Sequence, residues 1–171
     1  MKGNDQTLKL HLAQFKKKIG GKYKFEVIKH TEDDEDVIVG NLFSPKKDDL
    51  IELYQVREFS KGLEFKVRND RNNTKLRFFL QSFPGCCGIE VIKWIFISYE
   101  HRGKKLSYAL LDMATELSKW FNYTVLTGTV SEEQPAMNFI LKKRKEWKMV
   151  KSFNSNRTGN KIHMWLTEIK Y

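Results

Sequence analysis

One stretch of the sequence decides the fold: IKWIFISYEHRGKKLSYALL, residues 92–111. It opens with an almost continuous apolar run, passes through a turn around Gly103, and continues as an apolar pattern with helical spacing. A strand that leads through such a turn into a helix brings backbone N–H groups and the positive end of the helix dipole to one point. Arg102, Lys104 and Lys105 add positive charge there. The stretch therefore predicts a binding site for a ligand that carries phosphate.

The order of the other elements follows from the spacing of apolar residues and turn residues along the chain. The predicted helices cover residues 8–19, 48–58, 104–121 and 132–144. The predicted strands cover residues 23–28, 37–43, 63–67, 75–81, 89–97, 123–130, 147–153 and 162–169. The strand at 89–97 is apolar on both faces except for Glu90 and Lys93, which predicts a central strand covered on both sides.

The junction at residues 92–111 resembles the acetyl-CoA-binding motif of the GNAT superfamily of N-acetyltransferases, which favours a ligand site over a plain scaffold turn. Members often read V-E-W-I-Y-V-x-P-E-Y-R-G-K-G-I-G-x-x-L-L here, and the register holds without a gap from Ile92 to Leu111. The resemblance implies a divergent member with an α+β fold, in which helices cover both faces of a mixed, mostly antiparallel central sheet. It implies a single GNAT-like domain over residues 1–171, with residues 1–22 as an N-terminal helical extension.

The resemblance also implies how acetyl-CoA is held as a co-substrate. In the family, the pantetheine arm bonds like an additional strand to the backbone of the central strand, and the turn binds the pyrophosphate. The substrate amine then attacks the acetyl carbonyl directly. The positions that match the strand contacts are Phe96, Ile97 and Ser98, and those that match the turn are Arg102, Gly103, Lys104, Lys105, Leu106 and Ser107.

Two departures from the family pattern lie in the turn. The motif R-x-x-G-x-G reads RGKKLS here, so Lys105 and Ser107 replace the two glycines that let phosphates approach the backbone closely. Their side chains can obstruct CoA. Alternatively, Lys105 reaches around and binds the phosphates itself.

Further departures affect the catalytic positions that the resemblance implies. Lys93 replaces a glutamate, and a lysine accepts a proton at neutral pH only if burial lowers its pKa by several units from about 10. Glu90 is the nearest carboxylate, but strand alternation places it on the face opposite Lys93. Ile140 replaces the tyrosine that protonates the leaving thiolate, and Glu133 replaces an asparagine.

No catalytic residue is therefore assigned from the sequence. Two polar residues lie near these positions, Ser131 and Asn138. Together with Glu90 and Lys93 they complete the set of catalytic candidates.

The charge of the chain predicts an affinity for anions. Its formal net charge is +10, and its densest basic cluster lies at Lys142, Lys143, Arg144, Lys145 and Lys148. This basic cluster reads either as a solvated helix face or as a surface for nucleic acid. The acidic run at residues 32–36 is expected at the tip of a hairpin.

The sequence contains no apolar segment of membrane-spanning length and no signal peptide, so we expect a soluble, intracellular protein of the cytoplasm. The adjacent Cys86 and Cys87 have poor spacing for a disulfide or a zinc site, and we expect no metal.

Two functions from different classes remain. The first is an acetyl-CoA-dependent N-acetyltransferase whose acceptor is a small amine or a protein amine. The second is a GNAT-fold protein that has lost catalysis and binds a protein or a nucleic acid through its basic surface.

Overall fold

The structure is a computed structural model that describes residues 5–19, 23–30, 36–41, 62–69, 71–83, 86 and 88–171. Within these residues the helices are α1 (Asp5–Ile19), α2 (Leu106–Trp120) and α3 (Pro135–Lys143), and none of them is long and apolar enough to cross a membrane. The strands are β1 (Tyr23–His30), β2 (Asp36–Asn41), β3 (Gly62–Asn69), β4 (Thr74–Ser82), β5 (Ile89–Ile97), β6 (Val125–Ser131), β7 (Trp147–Asn154) and β8 (Lys161–Glu168).

The described strands form one sheet in the order β2-β1-β3-β4-β5-β6-β8-β7. Neighbouring strands are antiparallel except β5 and β6, which run parallel because α2 crosses over between them. The prediction of an α+β fold with a mixed, mostly antiparallel sheet is confirmed. The predicted helix at residues 48–58 and residues 32–35 of the acidic run lie outside the described residues.

The apolar spacing in residues 104–121 correctly predicts the core-facing side of α2. The chain enters α2 at Leu106 and leaves it at Trp120, and both side chains are buried. The residues at three-to-four-residue spacing between them, Leu110, Met113 and Leu117, are buried as well. The stripe therefore packs against the sheet.

The N-terminal helix α1 is attached to this core through one aromatic side chain. Phe15 is 2% exposed and meets Phe65 of β3 edge-on, with ring centroids 5.8 Å apart. Phe65 in turn stacks on Phe78 of β4 at 5.1 Å. Helix α1 also packs along α2. Residues 5–19 are thus an integral layer over the sheet face that carries Phe65 and Phe78.

Strand β5 contains a bulge that the sequence does not indicate. Phe79 of β4 pairs with Trp94 and Leu80 pairs with Ile92, which leaves Lys93 as the extra residue. Before the bulge, Ile92 faces the core. After it, the phase of the strand is inverted, so Trp94 and Phe96 turn away from the core and each is 38% exposed. The prediction that β5 is covered on both sides is wrong for this half.

Replacing Phe15 by alanine should lower the free energy of unfolding by about 3–5 kcal/mol, because the buried ring leaves a cavity against Phe65. Urea denaturation measures the change. Leu10→Ala on the same helix is the matched control, since Leu10 is 62% exposed and should shift stability by less than about 0.5 kcal/mol. Equal effects of the two substitutions would contradict the docking of α1 through Phe15.

Candidate functional site

A cleft opens where β5 and β6 separate. The two strands pair in parallel only from Ile89 opposite Val125 to Ile92 opposite Gly128. Beyond that point β5 follows β4 and β6 follows β8. The resulting cleft has a volume of about 180 Å³. Its lining comes from β5, β6, α2, α3 and the start of β7 and includes Lys93, Trp94, Ile95, Leu111, Thr129, Gln134, Met137, Leu141 and Trp147.

The backbone of β5 beyond the bulge presents alternate residues to the cleft. The Ser98 N–H donates to the Lys75 carbonyl at 2.8 Å, and the Ser98 carbonyl accepts from the His101 N–H at 2.9 Å. Backbone groups of alternate residues in a strand point to the same neighbouring strand, so those of Phe96 point to β4, as the Ser98 N–H does. The N–H and carbonyl of Ile97 therefore point the other way, toward the side that β6 has left. Of the predicted strand contacts Phe96, Ile97 and Ser98, the backbone groups of Ile97 point to the side that β6 has left, whereas those of Phe96 and the N–H of Ser98 point to β4. The assignment of these three residues to a cofactor stays a prediction.

The turn after β5 forms a cradle of backbone donors, which we define as residues 102–107. Gly103 has a φ of +75° and nothing lies within 4 Å of where a Cβ would be. Helix α2 has no side-chain cap and no acidic residue in its first turn. Its first N–H groups, at Leu106 and Ser107, therefore have no partner within the helix. The exposed cations of the cradle are Arg102, Lys104 and Lys105, which makes the cradle suitable for an anion.

Lys105 has a backbone conformation that favours glycine. Its φ is +57° and its ψ is +22°, in the left-handed region that costs a non-glycine residue roughly 1–2 kcal/mol. The strain in the backbone of the cradle is thus borne by Lys105. Its exposed side chain adds a cation to the cradle.

A buried histidine fixes the start of the cradle. His101 lies in a 3₁₀ turn, Tyr99–His101, and its Nδ1 is 2.9 Å from the Ser98 hydroxyl. Its Nε2 is 3.1 Å from the Tyr23 hydroxyl of β1. Burial lowers the pKa of His101, although the carboxylate of Glu100 acts in the opposite direction. The His101 ring is therefore buried and held between the Ser98 hydroxyl and Tyr23 of β1.

Glu100, on the same turn, is exposed and points to solvent beside β4. A hydrogen bond from Lys75 lowers the pKa of Glu100 to about 2. The carboxylate is therefore ionised at neutral pH and paired with Lys75, so it is a poor proton acceptor.

Of the four catalytic candidates, Glu90 and Lys93 lie on β5, whereas Ser131 and Asn138 contact each other. Lys93 is exposed and lines the cleft at the bulge. Glu90 is 1% exposed, lies before the bulge, and does not line the cleft. The bulge interrupts the alternation of side chains between the two faces of β5. Counting residues from Glu90 to Lys93 therefore does not show that their side chains lie on opposite faces.

Ser131 and Asn138 hold a wall of the cleft together. The Asn138 side-chain N–H donates to the Ser131 carbonyl at 2.9 Å, and the Trp165 indole N–H donates to Asn138 Oδ1 at 3.0 Å. The Ser131 hydroxyl accepts from the Glu133 N–H at 3.3 Å. These contacts join β6, α3 and β8, which is a structural role.

The basic cluster is smaller than the sequence indicates. Arg144 is bound to the carboxylates of Asp112 and Glu146, and its Nη1 donates to the Tyr108 carbonyl at 3.1 Å. Arg144 therefore ties the end of α3 to α2 and is not free for a partner. The exposed members are Lys142, Lys143, Lys145 and Lys148.

Solved structures similar to this chain include acetyltransferases, although no protein-family model and no curated protein matches the sequence. A protein assigned to the GNAT family from Desulfovibrio desulfuricans is 15% identical, with a TM-score of 0.57 over 75% of this chain and 84% of that one. Spermidine N-acetyltransferase from Vibrio cholerae, solved with CoA and spermine, is 17% identical, with a TM-score of 0.55 over 77% and 79%. IAA acetyltransferase from Bacillus cereus is 14% identical, with a TM-score of 0.56 over 86% and 99%.

These similarities establish the class of fold. The chain has the GNAT fold, and its low identity to each of these structures makes it a divergent example.

Replacing Lys105 by glycine should raise the free energy of unfolding by about 1 kcal/mol, because glycine adopts the left-handed conformation without strain. The shift in the urea midpoint measures it. Lys104→Gly is the matched control, since Lys104 does not have a positive φ and gains nothing from glycine. A loss of stability in Lys105→Gly equal to that in Lys104→Gly would show that residue 105 is not strained.

The lowered pKa of His101 predicts a pH dependence of stability. Between that lowered pKa and the ordinary value of about 6.5, the unfolded chain binds more protons than the folded protein. The stabilisation by His101 is therefore complete above about pH 6.5 and is lost as the pH falls through this window. The free energy of unfolding, measured by urea denaturation at several pH values, should change less with pH in His101→Gln than in the unmodified protein. An equal change with pH in the two proteins would contradict the lowered pKa of His101.

Proposed function

We propose that the protein is an acetyl-CoA-dependent N-acetyltransferase that binds acetyl-CoA between β5 and β6. The observation that carries the proposal is the position of the cradle relative to the cleft. The parallel pairing stops at Ile92 and Gly128, and β5 then leads through the 3₁₀ turn to an uncapped helix start rich in cations. A ligand with an amide arm and a phosphate end is complementary to both parts.

The residues of the chain suit each part of acetyl-CoA. The pantetheine arm contains amides, and Ile97 offers a backbone N–H and a carbonyl on the side that β6 has left. The pyrophosphate suits the backbone donors of the cradle, with charge from Arg102, Lys104 and Lys105. The Arg102 Nε donates to the Ile97 carbonyl at 3.2 Å, so Arg102 links the two parts and must share or release this carbonyl when the arm binds.

The chemistry is direct transfer from the thioester to an amine. The neutral amine nitrogen forms a bond to the acetyl carbon, the bond from this carbon to sulfur breaks, and the excess proton that the nitrogen then carries passes to the departing thiolate through water. The described lining of the cleft contains no carboxylate, histidine or tyrosine. Such a cleft can still accelerate the reaction by positioning the amine against the thioester. It lacks the rate increase of roughly 10²–10⁴-fold that a well-placed general acid or base contributes. We therefore expect slow turnover.

The absence of a proton acceptor from the described lining of the cleft supports a second candidate function. A described cleft without a proton acceptor, together with the exposed lysines of the basic cluster, suits a catalytically inactive GNAT-fold protein that binds a nucleic acid or an acidic protein. The two functions differ in turnover. They also differ in salt dependence, because a phosphate-contacting surface loses affinity steeply as salt is added.

Calorimetric titration with acetyl-CoA and with CoA tests the cofactor site. We expect both to bind, and Lys105→Glu to weaken binding about fivefold by reversing an exposed charge. Gly128→Leu should abolish binding because its side chain fills the cleft. Gly128→Ala is the control, since its Cβ would lie 3.5 Å from the Ile92 carbonyl oxygen, an ordinary contact.

No binding of either compound at high micromolar concentration would refute the proposed acetyltransferase. Binding that Gly128→Leu leaves unchanged would refute the location. Binding without turnover of any amine would favour the second function.

A further inference from the structure

An aromatic surface lies at the mouth of the cleft, on the sheet face opposite Phe65 and Phe78. The bulge at Lys93 places Trp94 and Phe96 on this face, and both are partly exposed. Trp94 also lines the cleft, so the surface and the cleft share a wall. We call Phe79, Trp94 and Phe96 the aromatic face.

Two rings of the aromatic face stack on each other, and an arginine lies over two of the three rings. Trp94 stacks on Phe79 at 5.6 Å between ring centroids, with 15° between the planes. The Arg77 guanidinium lies 4.8 Å from the Trp94 ring centroid and 5.5 Å from that of Phe96. These contacts restrict the motion of the planar Arg77 guanidinium and of the Trp94 ring. Another planar group can therefore stack on them with a small loss of conformational entropy.

Among the described residues beside the aromatic face, one carboxylate contacts two cations. The Glu64 carboxylate lies 3.3 Å from Lys66 Nζ and 3.5 Å from Arg77 Nη1. The Lys66 side chain is 9% exposed, whereas that of Arg77 is 42% exposed. Of these two cations, Arg77 is therefore the one that reaches solvent.

The cleft mouth does not suit a polycationic acceptor. Lys93 adds a second exposed cation at the bulge, and among the described residues that line the cleft there is no carboxylate to hold a second ammonium group. A polyamine would place like charges close together, which costs affinity. A structural neighbour acts on spermidine, but the described mouth of this cleft has the opposite charge preference.

We infer that the acceptor is an amine carried by a planar aromatic molecule that also bears an anionic group, of which an aromatic amino acid is the simplest example. Its ring lies on the aromatic face, its anionic group meets Arg77, and its amine reaches the acetyl group at the bulge. The inference rests on the proposed acetyltransfer and names the substrate class of that site. The new bond joins the amine nitrogen to the acetyl carbon, and CoA leaves as the thiol with the proton that the amine loses.

The test compares four amines on the acetyl-CoA-saturated protein: L-tryptophan, tryptamine, L-leucine and spermidine. Binding is measured by ligand-observed NMR with CoA in place of acetyl-CoA, and turnover by release of free thiol. We expect L-tryptophan to bind about tenfold more tightly than L-leucine, because the ring adds a stacking contact. It should bind about fivefold more tightly than tryptamine, because the carboxylate meets a partly exposed cation. Spermidine should bind most weakly.

Variants separate the two contacts. Arg77→Gln should abolish the preference for L-tryptophan over tryptamine, and Trp94→Leu should abolish the preference for L-tryptophan over L-leucine. The matched controls are Lys119→Gln and Phe139→Leu. Each belongs to a cation–ring pair elsewhere, Lys119 with Tyr171 at 5.9 Å and Phe139 with Lys143 at 4.4 Å, and should keep both preferences.

Calorimetry of CoA on every variant keeps this inference distinct from the proposed function. If CoA binds and spermidine is preferred, or the four amines bind equally, the inference fails while the cofactor site stands. If CoA does not bind the unmodified protein, the proposed function itself fails. If Lys119→Gln removes the preference as Arg77→Gln does, the effect is one of general charge and Arg77 is not the anion contact.

Discussion

The site depends on one constraint, the early end of the parallel pairing between β5 and β6. The two strands share hydrogen bonds only as far as Ile92 and Gly128, and the bulge at Lys93 follows at once. Past that point each strand keeps its outer neighbour, so the sheet stays intact while its centre opens. The cleft results from this separation, and the outward turn of Trp94 results from the bulge.

The elements around the cleft are fixed by contacts that are distant in sequence. His101 ties the start of the cradle to Tyr23 of β1, and Asn138 ties α3 to β6 and β8. A site with such supports is preorganised, which matters most for an enzyme that works by positioning. The strained backbone at Lys105 fits the same description, since the surrounding structure holds a conformation that lysine alone disfavours.

Apolar spacing and turn residues predicted the fold well, because these local patterns decide helices and strands. The bulge could not be predicted: one extra residue leaves the run IEVIKWIFI apolar on both sides of Lys93. Local pattern does not indicate the burial of His101, because its partner Tyr23 lies 78 residues away. The basic cluster was overestimated because Arg144 meets Asp112, 32 residues away, only in the folded chain. Local pattern thus predicted the helices and strands, whereas contacts between residues distant in sequence decide the burial of His101 and the pairing of Arg144.

The most direct test of this arrangement is the change in amide NMR shifts of the ¹⁵N-labelled protein as CoA is added. If CoA lies between the diverging strands, the changes will concentrate at Ile95, Ile97, Gly128 and residues 103–107. Residues 142–148 will stay unchanged. Changes confined to residues 142–148, or spread evenly over the surface, would contradict a cofactor site in the cleft.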